Sequence, residues 1–402
     1  MFSNLFPPVM SGSSIHLYAL AAELAKHGCE VTIITAKIDN KSPDFEIINN
    51  VEIYRLPSFH FPKLEIALNF PWLNFTYTLF NQTRIDRIVK KKQPDVLHLH
   101  NHMFDLSFSA VRTAKKFRIP LVVTIHTIIK HPIKLYDVFL SFIDQRILKR
   151  KIIDQAQAII CPDKVIEEYV KVIFKNDNGY IIPYGINFPP NFDKNEIGEI
   201  RKRYSIDSKK TILSIGHVHD IRNREDLIKC MPLVLRAISD AQLIIVGDIG
   251  TKYAQNLVDE LGISKSVIFT GAIQNSEVYK LLQIADIEAH WFQGNNPGTR
   301  ILGIAALEAM AASKVVINTA EEDAYGGGVL KNNKNYMQIK LGQPERLAEI
   351  IVELLNNPAK RLKIEKAARD TIRKYFAWDV VCYQMINLYK EVLVKKIEDT
   401  NL

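Results

Sequence analysis

The stretch SIHLYALAAELAKHGCEVTIIT, residues 14–35, contains a complete helix and the strand that follows it. Leu17, Leu20, Ala21 and Leu24 recur at i, i+3, i+4 and i+7, which puts them on one face of a helix from about Ser14 to His27. Serines stand at its entry, where hydroxyls cap free amides, and Gly28 supplies a stop. Val31-Thr32-Ile33-Ile34-Thr35 is short, β-branched and apolar, the composition of a strand covered on both faces.

The same alternation runs outward from this unit. Strands are expected at 96–100, 121–126, 158–161 and 179–182, and a second set at 211–215, 242–246, 267–270, 287–291 and 315–318, with helices between them. PYGINFPPN, residues 183–191, interrupts the periodicity and reads as the linker. Helical patterns at 344–356, 358–375 and 378–396 close the chain. The expected fold class is α/β, with two Rossmann-like doubly wound domains: 1–185, 186–375, and a helix in 376–402 packing back on the first. Met1-Phe2-Ser3-Asn4 runs straight into Leu5-Phe6-Pro7-Pro8, so the central strand of the first sheet is expected to be truncated or missing.

At 402 residues and 47% hydrophobic content the chain can bury two cores. Cys29, Cys161, Cys230 and Cys382 lie far apart, which fits a reducing compartment and neither a zinc site nor a disulfide framework. No long uncharged apolar run and no secretory pattern is present, so a cytoplasmic location is expected. Of the net charge of +8, the first 190 residues contribute 23 Lys and Arg against 17 Asp and Glu, most densely at Lys90–Lys92, Lys115–Arg118 and Lys149–Lys151. Solvated helix ends explain these runs; attraction to an anionic lipid or a phosphorylated acceptor is the functional reading. No nucleic-acid-binding motif accompanies them.

Several segments together resemble the GT-B glycosyltransferases of family four. They are Phe6-Pro7-Pro8 with Ser11-Gly12 and His16, Asp95-Val96-Leu97-His98-Leu99-His100, Thr124-Ile125-His126, Ile182-Pro183-Tyr184-Gly185-Ile186, Ile245-Val246-Gly247-Asp248, Phe269-Thr270-Gly271 and Leu307-Glu308-Ala309-Met310-Ala311. The resemblance implies two domains facing a central cleft. It also implies transfer of a sugar from a nucleotide-diphosphate sugar to an acceptor hydroxyl with retained configuration, without a metal or other cofactor.

Glu308 is the only acid in the apolar stretch 301–312, and a carboxylate there needs a partner because burying it alone costs several kcal/mol. Two vicinal hydroxyls satisfy it, and the resemblance assigns it the donor ribose. The family's earlier glutamate, eight positions before, is replaced by Arg300, with Gly303 at the later glycine of that motif. Arg300 then faces an anionic sugar or phosphate, or pairs with a nearby acid. Arg222 and Arg224 fall near the family's phosphate-binding lysine and His217 near its arginine, forming the expected clamp. Gly12 opens a helix whose amides suit a phosphate, although Ser11 replaces the family's first glycine; His16 lines the same place. By resemblance His126 meets the donor sugar or its phosphate.

His98, His100 and His102 alternate as metal ligands do, but no carboxylate or cysteine completes a set. Phe70, Trp72, Phe75, Tyr77 and Phe80 read as ordinary core packing, or as a lipid contact. The departures at Ser11, His217 and Arg300 leave a non-catalytic nucleotide-binding subunit as the rival to an enzyme.

Overall fold

The computed structural model describes residues 1–9, 11–61, 73–131, 133–206, 210–218, 224–292, 294 and 296–400. Two compact units emerge, Met1–Gly185 with Trp378–Leu402, and Ile186–Ala377.

Among the described residues the main sheet of the first unit holds eight strands: β1 (Phe2–Ser3), β2 (Val31–Ala36), β3 (Phe45–Ile48), β4 (Val51–Leu56), β5 (Leu97–His100), β6 (Leu121–Thr124), β7 (Ala158–Cys161) and β8 (Gly179–Ile181). Their order is β8-β7-β6-β5-β1-β2-β4-β3, parallel throughout except for β3 against β4. The central strand is therefore present, contrary to the stronger expectation, but two residues long. Phe2 pairs with Ile34 on one side and Leu99 on the other. Beneath it a cavity of about 640 Å³ opens between β2 and β5, lined by Leu24, Val31, Ile34, Val89 and Tyr389 among others.

Both faces of this sheet are covered. Leu97 and Leu99 pack with Ile85, Ala110 and Val111 on one face. On the other, helix α1 (Gly12–Lys26) lays Leu17, Leu20 and Leu24 against Ile33 and Ile53, beside Val381 and Met385 of the C-terminal helix Trp378–Thr400. Each such side chain contributes about 1.5 to 3 kcal/mol of burial. Helix α2 (Lys134–Phe142) differs, having no buried residue. The aromatic segment departs from the core-packing expectation as well: Phe75, Tyr77 and Phe80 are exposed, while Phe70 and Trp72 lie outside the described residues.

Among its described residues the second unit has six parallel strands, β9 (Lys210–Ile215), β10 (Ala241–Val246), β11 (Val267–Gly271), β12 (Ile287–Ala289), β13 (Val315–Asn318) and β14 (Met337–Gln338). They run β11-β10-β9-β12-β13-β14, the doubly wound order whose reversal, here between β9 and β12, opens a crevice at the carboxyl ends of the strands. The loops after β9 and β10 approach so closely that a Cβ on Gly247 would stand 2.3 Å from the Gly216 carbonyl oxygen, and Gly247 has φ +138°. Only glycine fits there. Helix α3 (Asn275–Ile284) and helix α4 (Ile304–Ala311) lie on one face; Ala306, Leu307, Ala309 and Met310 of α4 enter the core with Leu281 and Leu282. Among the described residues no helix is long and apolar enough to cross a membrane.

Candidate functional site

In the first unit the expected residues converge near the reversal between β1 and β5. Ser11 is the cap of α1 in an extended conformation, φ −130°, and exchanges bonds with Ser14. Serine in place of the family's glycine therefore costs no backbone freedom at this position. A Cβ on Gly12 would meet nothing within 4 Å, so the helix start is open in front of it.

Behind it lies a packed histidine cluster. His16 stacks on Trp378 at 5.8 Å between centroids and lies 4.3 Å from the Tyr184 ring. His126, expected at the donor, has both ring nitrogens engaged inside the unit: Nε2 with His100 Nδ1 at 3.0 Å and Nδ1 with the Tyr184 hydroxyl at 2.8 Å. His98 bonds Thr124 and Tyr389, both at 2.7 Å, and His102 bonds Asp144 at 2.9 Å. The alternating histidines thus bond to different partners. Among the described residues no group of three or more His, Cys, Asp or Glu is arranged to hold a metal ion.

Burial holds His16, His98, His100 and His126 neutral. It takes His126 down to about 3, and it drives His16, His98 and His100 well below the ordinary histidine range, helped by neighbouring histidines.

In the second unit Glu308 sits on α4, half-buried, on the same side as exposed Ile304. The Tyr279 hydroxyl of α3 donates to its Oε1 at 2.9 Å. Burial pushes this carboxyl up, and the Tyr279 bond opposes the shift. Gly303 begins α4 and offers no side chain, so the first-turn amides are left uncapped at the carboxyl edge of the sheet.

Of the expected phosphate clamp, Arg224 has another task in the structure. Arg224 is buried, and its guanidinium reaches the Ser214 hydroxyl and, at 2.8 Å, the Gly216 carbonyl, so it braces the loop after β9. His217 is exposed on that loop, and Arg222 lies outside the described residues. Arg300 ends a 3₁₀ turn, Pro297–Arg300, and its Nε donates to Glu321 at 2.9 Å while the Glu321 amide returns a bond to the Arg300 carbonyl at 3.0 Å. Of the two readings of Arg300, pairing with a nearby acid is what the structure contains.

Sequence reasoning missed Tyr279, Glu321 and a buried pair on β12 and its exit, Glu288 and His290. The signal for the pair was present: an acid and a histidine two apart, in a strand otherwise apolar, share one face.

Two doubly wound units, each with polar groups and an open helix start at its carboxyl edge, define a GT-B glycosyltransferase. The chain belongs to that class by sequence too: residues 10–188 match Glycosyltransferase Family 4 and residues 196–371 match Glycosyl transferases group 1. It is 28% identical over 403 residues, 96% of each chain, to an uncharacterized glycosyltransferase of Methanocaldococcus jannaschii. It is 25% identical over 380 residues, 89% of this chain and 78% of the other, to alpha-monoglucosyldiacylglycerol synthase of Streptococcus pneumoniae. Anabaena HepE, solved with UDP and glucose, superposes with a TM-score of 0.67 at 14% identity, covering 97% of this chain and 98% of that one. The enzyme reading therefore stands over the non-catalytic rival.

The neutral histidines make stability pH-dependent. Unfolded histidine takes up a proton near pH 6.5 while these do not, so below that pH the unfolded chain binds more protons. Their contribution is complete above about pH 6.5 and is lost as pH falls towards the folded values, by up to about 1.4 kcal/mol per pH unit for each residue. Thermal unfolding followed from pH 7 to pH 5 should show a falling midpoint, with a shallower fall in His100→Gln. An equal slope in both proteins would contradict the assignment.

Proposed function

We propose that this enzyme transfers a sugar from a nucleoside-diphosphate sugar, with retention and without a metal, to a hydroxyl on a lipid-borne acceptor at the cytoplasmic face of a membrane. The observation that carries the donor half is Glu308: a half-buried carboxylate with a single bond from the described residues, on a helix that starts uncapped at the sheet's carboxyl edge. Two ribose hydroxyls complete its bonding, and the α4 amides receive phosphate. The nucleotide carried by HepE supports the same reading. Arg222 remains the expected cation, and retention follows from the family. The anomeric bond breaks towards the phosphate oxygen, the acceptor oxygen bonds the same face, and its proton passes to the departing phosphate. Leaving-group stabilisation by fixed donors is the main catalytic contribution.

The acceptor half rests on α2. Leu135, Val138, Phe139 and Phe142 recur at i, i+3, i+4 and i+7, and all are exposed, Leu135 at 75% and Phe139 at 59%. Exposed Lys130, Lys134, Arg146 and Arg150 flank them along the chain, whereas Asp137 receives the His131 amide and Asp144 is buried with His102. An apolar stripe flanked by cations suits an anionic bilayer. A lipid-named relative, the Streptococcus synthase, points the same way.

Glu308→Ala should weaken nucleoside diphosphate binding by about 2 to 4 kcal/mol, from two lost charge-assisted bonds, as measured by titration calorimetry. Unchanged affinity would remove the ribose assignment. Leu135→Asp with Phe139→Asp should reduce sedimentation with phosphatidylglycerol-containing vesicles by tenfold or more, since each buried side chain contributes about 1.5 to 3 kcal/mol. Undiminished vesicle binding would remove α2 from the acceptor side.

A further inference from the structure

At the reversal point of the second sheet, Glu288 and His290 form a buried pair that the donor site as described leaves without a task. Glu288 is 0% exposed and His290 2%, and His290 Nδ1 lies 2.5 Å from Glu288 Oε1. The same Oε1 accepts from the Ile215 amide of the neighbouring strand β9 at 3.4 Å, and Oε2 has no partner among the described residues. The backbone carbonyl of His290 receives Asn318 Nδ2 at 2.5 Å, which anchors the exit of β12 to β13. A buried carboxyl group needs hydrogen-bond partners, and the imidazole is the side chain in contact with it.

The carboxylate also fixes which way the ring presents itself. With Nδ1–H held on Glu288, the remaining nitrogen, Nε2, points away from the strand. It lies 3.6 Å from where a Cβ on Gly303 would stand, at the start of α4, and no described residue bonds it. Gly303 leaves the space that any side chain would fill. Arg300 and Arg224, meanwhile, are held by Glu321 and by the Gly216 carbonyl. The uncapped amides of α4 and a buried, oriented ring nitrogen therefore converge on one place at the sheet's carboxyl edge.

We infer that His290 is a catalytic residue for the transfer, donating from Nε2 to the anionic diphosphate of the donor, and that Glu288 is its positioning residue. The inference rests on the nucleotide-sugar reading above. With phosphate present both ring nitrogens are engaged, Nδ1 with Glu288 on one side and Nε2 with the phosphate on the other. As the anomeric carbon–oxygen bond breaks, the electron pair moves to the phosphate oxygen, and the Nε2–H bond to that phosphate strengthens. No proton leaves the ring in this step; the acceptor's proton goes to the phosphate.

The test is a double-mutant cycle read as the gain in affinity from nucleoside to nucleoside diphosphate. ADP, CDP, GDP, TDP and UDP are screened by calorimetry, and the tightest is compared with its nucleoside. His290→Gln and Glu288→Gln should each cut the diphosphate gain tenfold or more and leave nucleoside affinity unchanged, and the double variant should lose no more than His290→Gln alone. Turnover with the matching donor should fall more than its KM rises. An intact diphosphate gain in either variant, equal losses for nucleoside and diphosphate, or fully additive losses would overturn the inference. Loss of nucleoside binding in Glu308→Ala stands apart from these outcomes, so failure of the ribose reading and failure of the His290 reading are separable.

Discussion

A parallel sheet wound in both directions must reverse its strand order once, and at that reversal neighbouring crossovers leave on opposite faces. The carboxyl edge is opened there by topology, before any side chain is chosen. In the second unit the reversal falls between β9 and β12, and the unit's notable polar groups follow from it. The loop after β9 is braced by Arg224 and pressed against Gly247, the exit of β12 carries Glu288 and His290, and α4 begins at a residue that cannot cap it. In the first unit the equivalent reversal, between β1 and β5, gathers α1 and the histidines.

The two units use polar groups differently. The histidines of the first are bonded to one another, to tyrosines and to threonine, and burial keeps them neutral, so that cluster stiffens the edge behind Gly12. The second unit differs in where its spare capacity lies: one oxygen of Glu288, with Glu308 held by a single tyrosine bond, whereas in the first unit Nε2 of His100 and Nδ1 of His102 lack a partner among the described residues. Buried polar capacity is costly to leave unmet.

Most of the fold was legible because buried parallel strands are short apolar runs and their helices carry a 3.6-residue period; β2, β5, β7, β10 and β13 fall where those runs lie. The β3–β4 hairpin escaped because its first strand is exposed, although Asn49-Asn50, both at positive φ, marked the turn. Two-residue strands such as β1 and β14 exist through pairing alone and leave no periodic trace. Glu308 was legible as a lone acid in an apolar helix. The fates of Arg224 and Arg300 were not, because their partners are set by tertiary contact: a loop carbonyl for the first, and for the second an acid 21 residues away. The aromatic segment was misread for a related reason, since sequence gives a stripe but not what covers it.

The central claim is that the carboxyl edge of the second sheet holds the donor nucleotide. A crystal structure of the protein with its tightest nucleoside diphosphate tests it most directly. The account predicts both ribose hydroxyls on the Glu308 carboxylate and phosphate oxygens at the start of α4, beside Gly303. A nucleotide whose ribose lies away from Glu308, or whose phosphates lie away from α4, would contradict it.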